Sequence, residues 1–394
     1  MSSIALILLI SSTINLISAQ FDPHFHPNRS GIVHLFEWRW NDIARECEEV
    51  LAPNGYGGVQ LSPVNENAIV DGRPWFERYQ PLSFKLKTRS GNKKELQDMI
   101  NRCNKVGVRV YVDVVFNHMA AGSGAVRGTA GTRADLDKRS YSNLFDASDF
   151  HQSCAINNYN DPNEVRVCEL SGLPDLNQSK KSVRDKITNF LNELVDMGVA
   201  GFRVDACKHM FTDDLKKIYD GVKNLKRNHG FPKYARPFIF QEVIDVGGEG
   251  VSKTEYIDLG TVTEFIFSSE IGMVFQGKHA VNQLEGLGPQ RTFLPSDKAL
   301  VFVDNHDNQR GHGGGGIVLT HQKPKEYTSA VAFMLANDYG IPRVMSSYYF
   351  GDPSQGPPHD SKNKIVGPGT NRADGSCTGG WVCEHRWNAI RNMI

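Results

Sequence analysis

The sequence predicts an α/β protein built as a (β/α)8 TIM barrel, with a loop-rich subdomain inserted after the third strand. Three observations carry this. Short β-branched runs alternate with helix-period segments about eight times, the number that closes such a barrel. Ionisable residues gather at the C-terminal ends of those runs, where barrels of this kind build their sites. The rhythm breaks once, from Met119 to about Pro174, in a stretch rich in Gly, Ser, Asn and Asp.

The elements follow in order. "GIVHLFEW" (Gly31 to Trp38) leads into the helical "WNDIARECEEVL", and "YGGVQLSPV" (Tyr56 to Val64) leads through a polar loop into "KKELQDMINRCNKV". In that helix Leu96, Met99, Ile100 and Cys103 recur at helical spacing. "VGVRVYVDVVFNH" (Val106 to His118) is nearly continuous in apolar residues, which suits a strand of a parallel sheet buried on both faces. A structureless loop as long as the break that follows would be unusual inside a domain, so a small subdomain is expected there. "KSVRDKITNFLNELVDMG" resumes the pattern with Val183, Ile187, Leu191, Leu194 and Val195 on one face. Next come the strand ending at Ala206, "DDLKKIYDGVKNL" and "PFIFQEVI" (Pro237 to Ile244). "VTEFIF" (Val262 to Phe267), "ALVFVDNHD" (Ala299 to Asp307) and "PRVMSSYYF" (Pro342 to Phe350) supply three more strands. "KEYTSAVAFMLAND" and "CEHRWNAIRNMI" are the last helices. A doubly wound sheet is the alternative, but no Gly-rich phosphate fingerprint follows the first strand.

Composition narrows the function classes. Lys and Arg together number 44, as do Asp and Glu, so the basic footprint of a nucleic-acid binder is absent and a neutral substrate suits the balance. The apolar run Ile4 to Ala19 resembles a secretory leader with cleavage after Ala19, and no second run of membrane length follows. Secretion makes the seven cysteines a disulfide question; an odd count leaves at least one thiol unpaired or joined to another chain. Sequons at Asn28 and Asn177 fit a secreted protein.

The charged strand ends suggest a chemistry. Asp113, Asn117 and His118 close the third strand, and Arg203, Asp205, Lys208 and His209 the fourth. Glu242 lies on the fifth, and Asn305, His306 and Asp307 on the seventh. Burying such charges costs several kcal/mol per ion (of order) unless they are paired or used. Retaining glycoside hydrolysis uses a carboxylate nucleophile beside a carboxyl group that starts protonated. Arg203, two residues from Asp205 on one strand, could hold that nucleophile ionised.

"DVVFNH", "GFRVDACKH", "FQEVID" and "FVDNHD" closely resemble, in order and spacing, the four motifs of α-amylases in the large retaining glycoside hydrolase family. "HLFEWRW", "GYGGVQLSPVNENA", "RPWFERYQP", "DNHDNQRGHG" and "WVCEHRW" resemble the animal, insect-like type. The resemblance implies a secreted, monomeric enzyme of the digestive lumen that cleaves starch, glycogen and malto-oligosaccharides, with no nucleic-acid or membrane partner. It implies Asp205 as nucleophile, Glu242 as acid/base and Asp307 as the third carboxylate. Trp75, Phe76, Tyr79, His118, Arg203, Lys208, His209 and His306 are the implied substrate contacts. A structural calcium ion would take Asn117, Asp175 and the carbonyls of Arg166 and His209, an all-oxygen set that suits calcium over zinc. A chloride ion would sit with Arg203, Asn305 and Arg343, and an anion beside Glu242 favours the protonated acid. The implied disulfides are Cys47–Cys103, Cys154–Cys168 and Cys377–Cys383, with Cys207 free.

The implied organisation is a leader (residues 1–19), a barrel (20–118 and 176–394) and a calcium-binding insertion (119–175). The chain stops inside the last barrel helix, where family members continue into a C-terminal β domain, so a partial or truncated form is expected. Phe76 and Phe211 stand where these enzymes carry Trp, Cys207 replaces a small residue, and "EGLGPQRTF" (Glu285 to Phe293) replaces a Trp-bearing stretch. Two other functions stay open: a related hydrolase or transglycosidase acting on maltose or sucrose, and a sugar-binding protein without turnover. "GHGGGG" (Gly311 to Gly316) reads as a flexible linker or as a loop at the substrate cleft.

Overall fold

The computed structural model describes residues 19–314 and 316–394. The residues read as a leader fall outside it, apart from Ala19. Eight parallel strands close into a barrel: Ser30–Leu35, Tyr56–Leu61, Arg109–Val114, Gly201–Val204, Phe238–Gln241, Thr261–Thr263, Ala299–Val301 and Ile341–Ser346. Each strand pairs with its neighbours in chain order, and the first closes on the eighth. Every predicted strand is present. The third strand is buried throughout, as its continuous apolar run requires.

Helices wrap this core. Lys93–Lys105 opens on an Asn92–Glu95 capping box and buries Leu96, Met99, Ile100 and Cys103. Lys181–Met197 buries Val183, Ile187, Leu191, Leu194 and Val195, and stops at Gly198, whose left-handed φ of 105° suits a residue without Cβ. Where the fourth strand approaches the fifth, a Cβ on Gly201 would lie 2.0 Å from the Phe238 carbonyl, so only glycine fits.

Two expectations are corrected. The predicted strand Val262–Phe267 ends at Thr263, and Phe265–Phe275 is a helix. Buried Glu264 makes the switch: its carboxylate accepts the Ile266 N–H at 3.1 Å and the Leu294 N–H at 2.8 Å while pairing with Lys253 at 2.6 Å. The segment from Cys383 holds only a 3-10 turn (Glu384–Arg386) and a one-turn helix (Asn388–Arg391). There the left-handed Cys383 backbone and the bonds from His385 and Arg386 to Glu46 hold the chain against the barrel. The fifth strand is followed by a 3-10 turn, Lys253–Tyr256.

The insertion leaves after His118 and returns at Asp175, where these two residues form an antiparallel bridge. It contains a small hairpin, Ala125–Arg127 with Arg133–Asp135, and a short helix, Pro162–Val167. All three implied disulfides are formed, and Cys207 is free and buried. No described helix is long and apolar enough to cross a membrane.

Candidate active site

Strand register assembles a charge cluster in the barrel. The pairing of third and fourth strands sets Asp113 beside Arg203, and the fourth and fifth pair Val204 with Gln241, which brings Asp205 level with Glu242. Arg203 is 2% exposed. Its Nη1 donates to both Asp113 oxygens, at 2.7 and 2.8 Å, and to Asp205 Oδ1 at 2.8 Å; Nη2 lies 2.5 Å from Glu242 Oε1. One guanidinium therefore serves three carboxylates. Ala206, just after Asp205, takes a left-handed turn (φ 51°), and its N–H donates to Glu242 Oε2 at 2.9 Å. A non-glycine residue in that region carries strain of order 1–3 kcal/mol, here spent on the backbone between two site carboxylates.

The seventh strand contributes the rest. Asn305 accepts the N–H groups of Asp307 and Asn308 at 2.9 and 2.8 Å, and His306 Nε2 lies 3.5 Å from Asp307 Oδ2. The glycine-rich loop packs onto this strand end: a Cβ on Gly313 would stand 2.9 Å from Asp307 Cβ. Of its two sequence readings, the loop at the cleft is the one observed.

These groups face a cleft of about 660 Å³. Asp205, Glu242, Asp307, His118, Lys208, His209, His306, Trp75, Phe76 and Tyr79 line it. Arg203 does not, which corrects its place among the substrate contacts: it is sealed beneath the floor by the carboxylates it binds. The aromatic surface differs too. Trp75 is 5% exposed and donates its indole N–H to the Pro353 carbonyl, and the buried Tyr79 ring stacks on His306 at 5.1 Å while its hydroxyl donates to Asp113. Phe76, 36% exposed, offers the open face. Tyr159, Leu170 and Leu173 of the insertion and Glu249 also line the cleft. Sequence reasoning missed them because the insertion carries no periodicity. Lys208 pairs with Glu249 and lies 5.5 Å above the Tyr159 ring.

Burial dominates the electrostatics. It raises the Asp113 and Asp205 carboxyls above their ordinary range, with Arg203 pulling both back. Arg203 does lower the Asp205 carboxyl, as expected of a cation holding it ionised, but desolvation outweighs that pull. Asp307 is pushed up to about 7 by burial and then by Glu242. The interior stabilises crowded negative charge poorly, so burial raises Asp113, Asp205 and Asp307 together while Arg203 opposes the rise at all three. Burial also pushes His118 and His209 down to about 4, His306 well down, and Lys208 to about 8. The three histidines are therefore neutral at pH 7.

Two ion-binding expectations meet suggestive surroundings. Asn117 Oδ1 and Asp175 Oδ1 are buried without hydrogen-bond partners, the state in which oxygens suit a cation. The His209 ring bonds the carbonyl of Val165, the residue before Arg166, at 2.9 Å. Burial holds Asp175 at about 7, against the pull of His151 Nδ1 at 2.7 Å. Arg343 is buried, bonds Gln60 at 3.0 Å and is pushed down to about 10 by burial and by Arg203. The Asn305 oxygen is already engaged by the Asp307 and Asn308 N–H groups.

A closed parallel barrel that gathers carboxylates from several strands at one sugar-sized cleft is a glycoside hydrolase architecture. The alpha-amylase profile, described as the catalytic domain of alpha amylase, matches residues 51–266. The chain is 54% identical over 394 residues to an alpha-amylase-related protein of Drosophila melanogaster, spanning all of this chain and 79% of that one. It is 53% identical to the corresponding protein of Drosophila willistoni over 99% of this chain and 79% of that one. Wild-type alpha-amylase I from Eisenia fetida superposes with a TM-score of 0.89 at 42% identity, over 94% of this chain and 77% of that one. The chain belongs to the alpha-amylase family.

Proposed function

We propose that the protein is a secreted α-amylase that hydrolyses internal α-1,4-glucosidic bonds of starch and glycogen with retention of configuration. The observation that carries this is the meeting of Asp205, Glu242 and Asp307 at one cleft, with Asp205 and Glu242 level on adjacent strands. Adjacent strands lie about 4.8 Å apart, close to the roughly 5–5.5 Å that separates the carboxyl groups of retaining enzymes.

In this reading an Asp205 oxygen attacks the anomeric carbon while Glu242 gives its proton to the departing glycosidic oxygen. The C–O bond to the leaving sugar breaks and a glycosyl ester to Asp205 forms. Glu242, now a carboxylate, takes a proton from water, whose oxygen attacks the same carbon and releases Asp205. Asp307 and neutral His118 and His306 bond the hydroxyls of the reacting sugar, and Lys208 and His209 hold the sugar on the leaving side. Phe76 stacks a glucose ring further along the chain.

Asn117, Asp175 and the carbonyls of Arg166 and His209 would hold calcium, which fixes the insertion to the barrel. Arg203, Asn305 and Arg343 would hold chloride, whose negative charge favours the protonated acid. The leader-like N-terminus, the three disulfides and the sequons support secretion.

The test is starch hydrolysis by the purified protein with and without chloride, beside Asp205→Asn and Arg343→Gln variants. Chloride-stimulated hydrolysis, abolished by the first variant and made chloride-independent by the second, supports the whole reading. Folded protein that binds maltoheptaose without cleaving it replaces the enzyme reading with sugar binding alone. Maltose or sucrose turnover with starch left intact replaces it with a related glycosidase.

A further inference from the structure

The chain as a whole is neutral, but its charge is not evenly spread. A second groove, of about 950 Å³, is lined by eight Lys or Arg residues and by two carboxylates, Asp42 and Glu95. It lies outside the catalytic cleft and shares no lining residue with it. Both carboxylates are already in use. Asp42 is shared by Arg39, at 2.6 Å, and Arg45, and Glu95 caps its own helix and accepts from Asn41 at 3.0 Å.

Five of the eight basic residues are paired with carboxylates in or beside the groove: Arg39 and Arg45 with Asp42, Arg73 and Arg89 with Glu77, and Arg102 with Glu48 and Asp98. Lys87, Lys362 and Lys364 are exposed, and among the described residues no carboxylate lies within ion-pair distance of them. Arg89 is the built-in part. Its side chain is 6% exposed; Nε donates to the Asn363 carbonyl at 3.1 Å, Nη1 to the Arg73 carbonyl at 3.3 Å, and Nη2 has no partner. Its nearest carboxylate, Glu77, stands 3.8 Å away and is held at 2.8 Å by Arg73. Burial lowers the Arg89 pKa; Glu37 and Glu77 oppose that, and Arg73 and Arg78 add to it.

The groove and the catalytic cleft share a wall. Ile69 and Arg73 face the groove, while Trp75 and Phe76 of the same loop face the cleft. On the other side, the segment that bonds the Trp75 indole at Pro353 continues to Lys362, Asn363 and Lys364 at the groove. An extended chain crossing that wall would meet a neutral sugar site and then a cationic one.

We propose that this groove binds anionic groups on a polysaccharide chain: sulfate, phosphate or carboxylate substituents held by Lys87, Arg45, Lys362 and Lys364 over the buried Arg89. Guanidinium and ammonium groups recognise all three anions, arginine through paired N–H donors and lysine as a point charge. Such a site acts through surface charge and is screened by salt.

The experiment measures binding, not turnover, so it stands apart from the catalytic reading. Fluorescently labelled dextran sulfate, phosphorylated glucan, polygalacturonate and uncharged dextran are titrated with the intact protein and with Asp205→Asn, at low and at high salt. A Lys362→Glu/Lys364→Glu double variant is compared with Lys325→Glu, an exposed lysine on the helix Pro324–Ala336 away from the groove. At least one anionic chain is expected to bind, equally to both forms of residue 205. The double variant should weaken it about tenfold or more, Lys325→Glu less than about twofold, and high salt should release it. The anionic arm that binds most tightly identifies the substituent. Failure of all three anionic chains to bind, equal binding of uncharged dextran, or an equal loss from Lys325→Glu overturns the proposal. So does a DNA strand of matched charge that binds as tightly as the best polysaccharide.

Discussion

Arg203→Gln is the most informative single change in the cluster, because it removes one positive charge from contact with three buried carboxylates at 2.5–2.8 Å. Breaking a buried ion pair by deleting one partner costs about 3–5 kcal/mol. The orphaned carboxylates have an escape, since each can take up a proton. Retaining a proton that the unfolded chain would release costs about 1.4 kcal/mol for each pH unit above an unfolded pKa near 4. That ceiling is about 2 kcal/mol per proton at pH 5.5 and about 5 kcal/mol at pH 7.5.

The sign follows from proton counts. Without Arg203 the native state holds more protons on Asp113 and Asp205 than the wild type does, because the lowering influence on both is gone while burial remains. The variant's stability therefore falls faster with rising pH. For one additional retained proton the deficit grows by up to about 2.7 kcal/mol between pH 5.5 and 7.5. Urea unfolding of both proteins at the two pH values, followed by tryptophan fluorescence, measures it. A deficit that is the same at both pH values, or below about 1 kcal/mol at pH 7.5, would refute the claim that Arg203 is the shared counter-ion of the floor.

Asp307→Asn separates stability from activity. Asp307 titrates near 7 in the fold, above its unfolded value, so its favourable contribution is complete below about pH 4 and lost as pH rises through 7. Its side chain is 21% exposed, so the variant should gain about 1–3 kcal/mol at pH 8, little at pH 4, and lose at least about 100-fold in starch hydrolysis. Chelation of calcium should lower the melting temperature by about 5 °C or more, and Asp175→Asn should abolish that response in a thermal scan. Cys207 is buried beside Tyr219 with its thiol raised by burial, so a thiol reagent should label nothing in the native protein. The unreduced unfolded protein should show one reactive thiol; more than one would contradict the three disulfides.

The barrel was legible in the sequence because its strands are buried on both faces and read as apolar runs, with the polar residues left at one end. Errors came where an apolar run serves two periods. Nothing in "VTEFIF" itself says that Glu264 will turn inward and cap a helix; that depends on Lys253 and the Leu294 N–H arriving from elsewhere in the chain. The cleft wall supplied by Tyr159, Leu170 and Leu173 was invisible for the same reason, since an insertion without periodicity takes its place from contacts at a distance.

Arg203 shows the limit most clearly. Its spacing from Asp205 put it on the right strand and the right face, but residue types cannot tell which side of a cleft floor a side chain occupies. The register with the third strand decides that. By pairing Arg203 with Asp113, it commits the guanidinium below the floor and makes Asp113, read in the sequence only as a polar strand end, a third claimant on one cation. A reading that counts Asp205, Glu242 and Asp307 but omits Asp113 therefore underestimates how many protons the site retains. The pH dependence of Arg203→Gln is the quantity in which that omission becomes measurable.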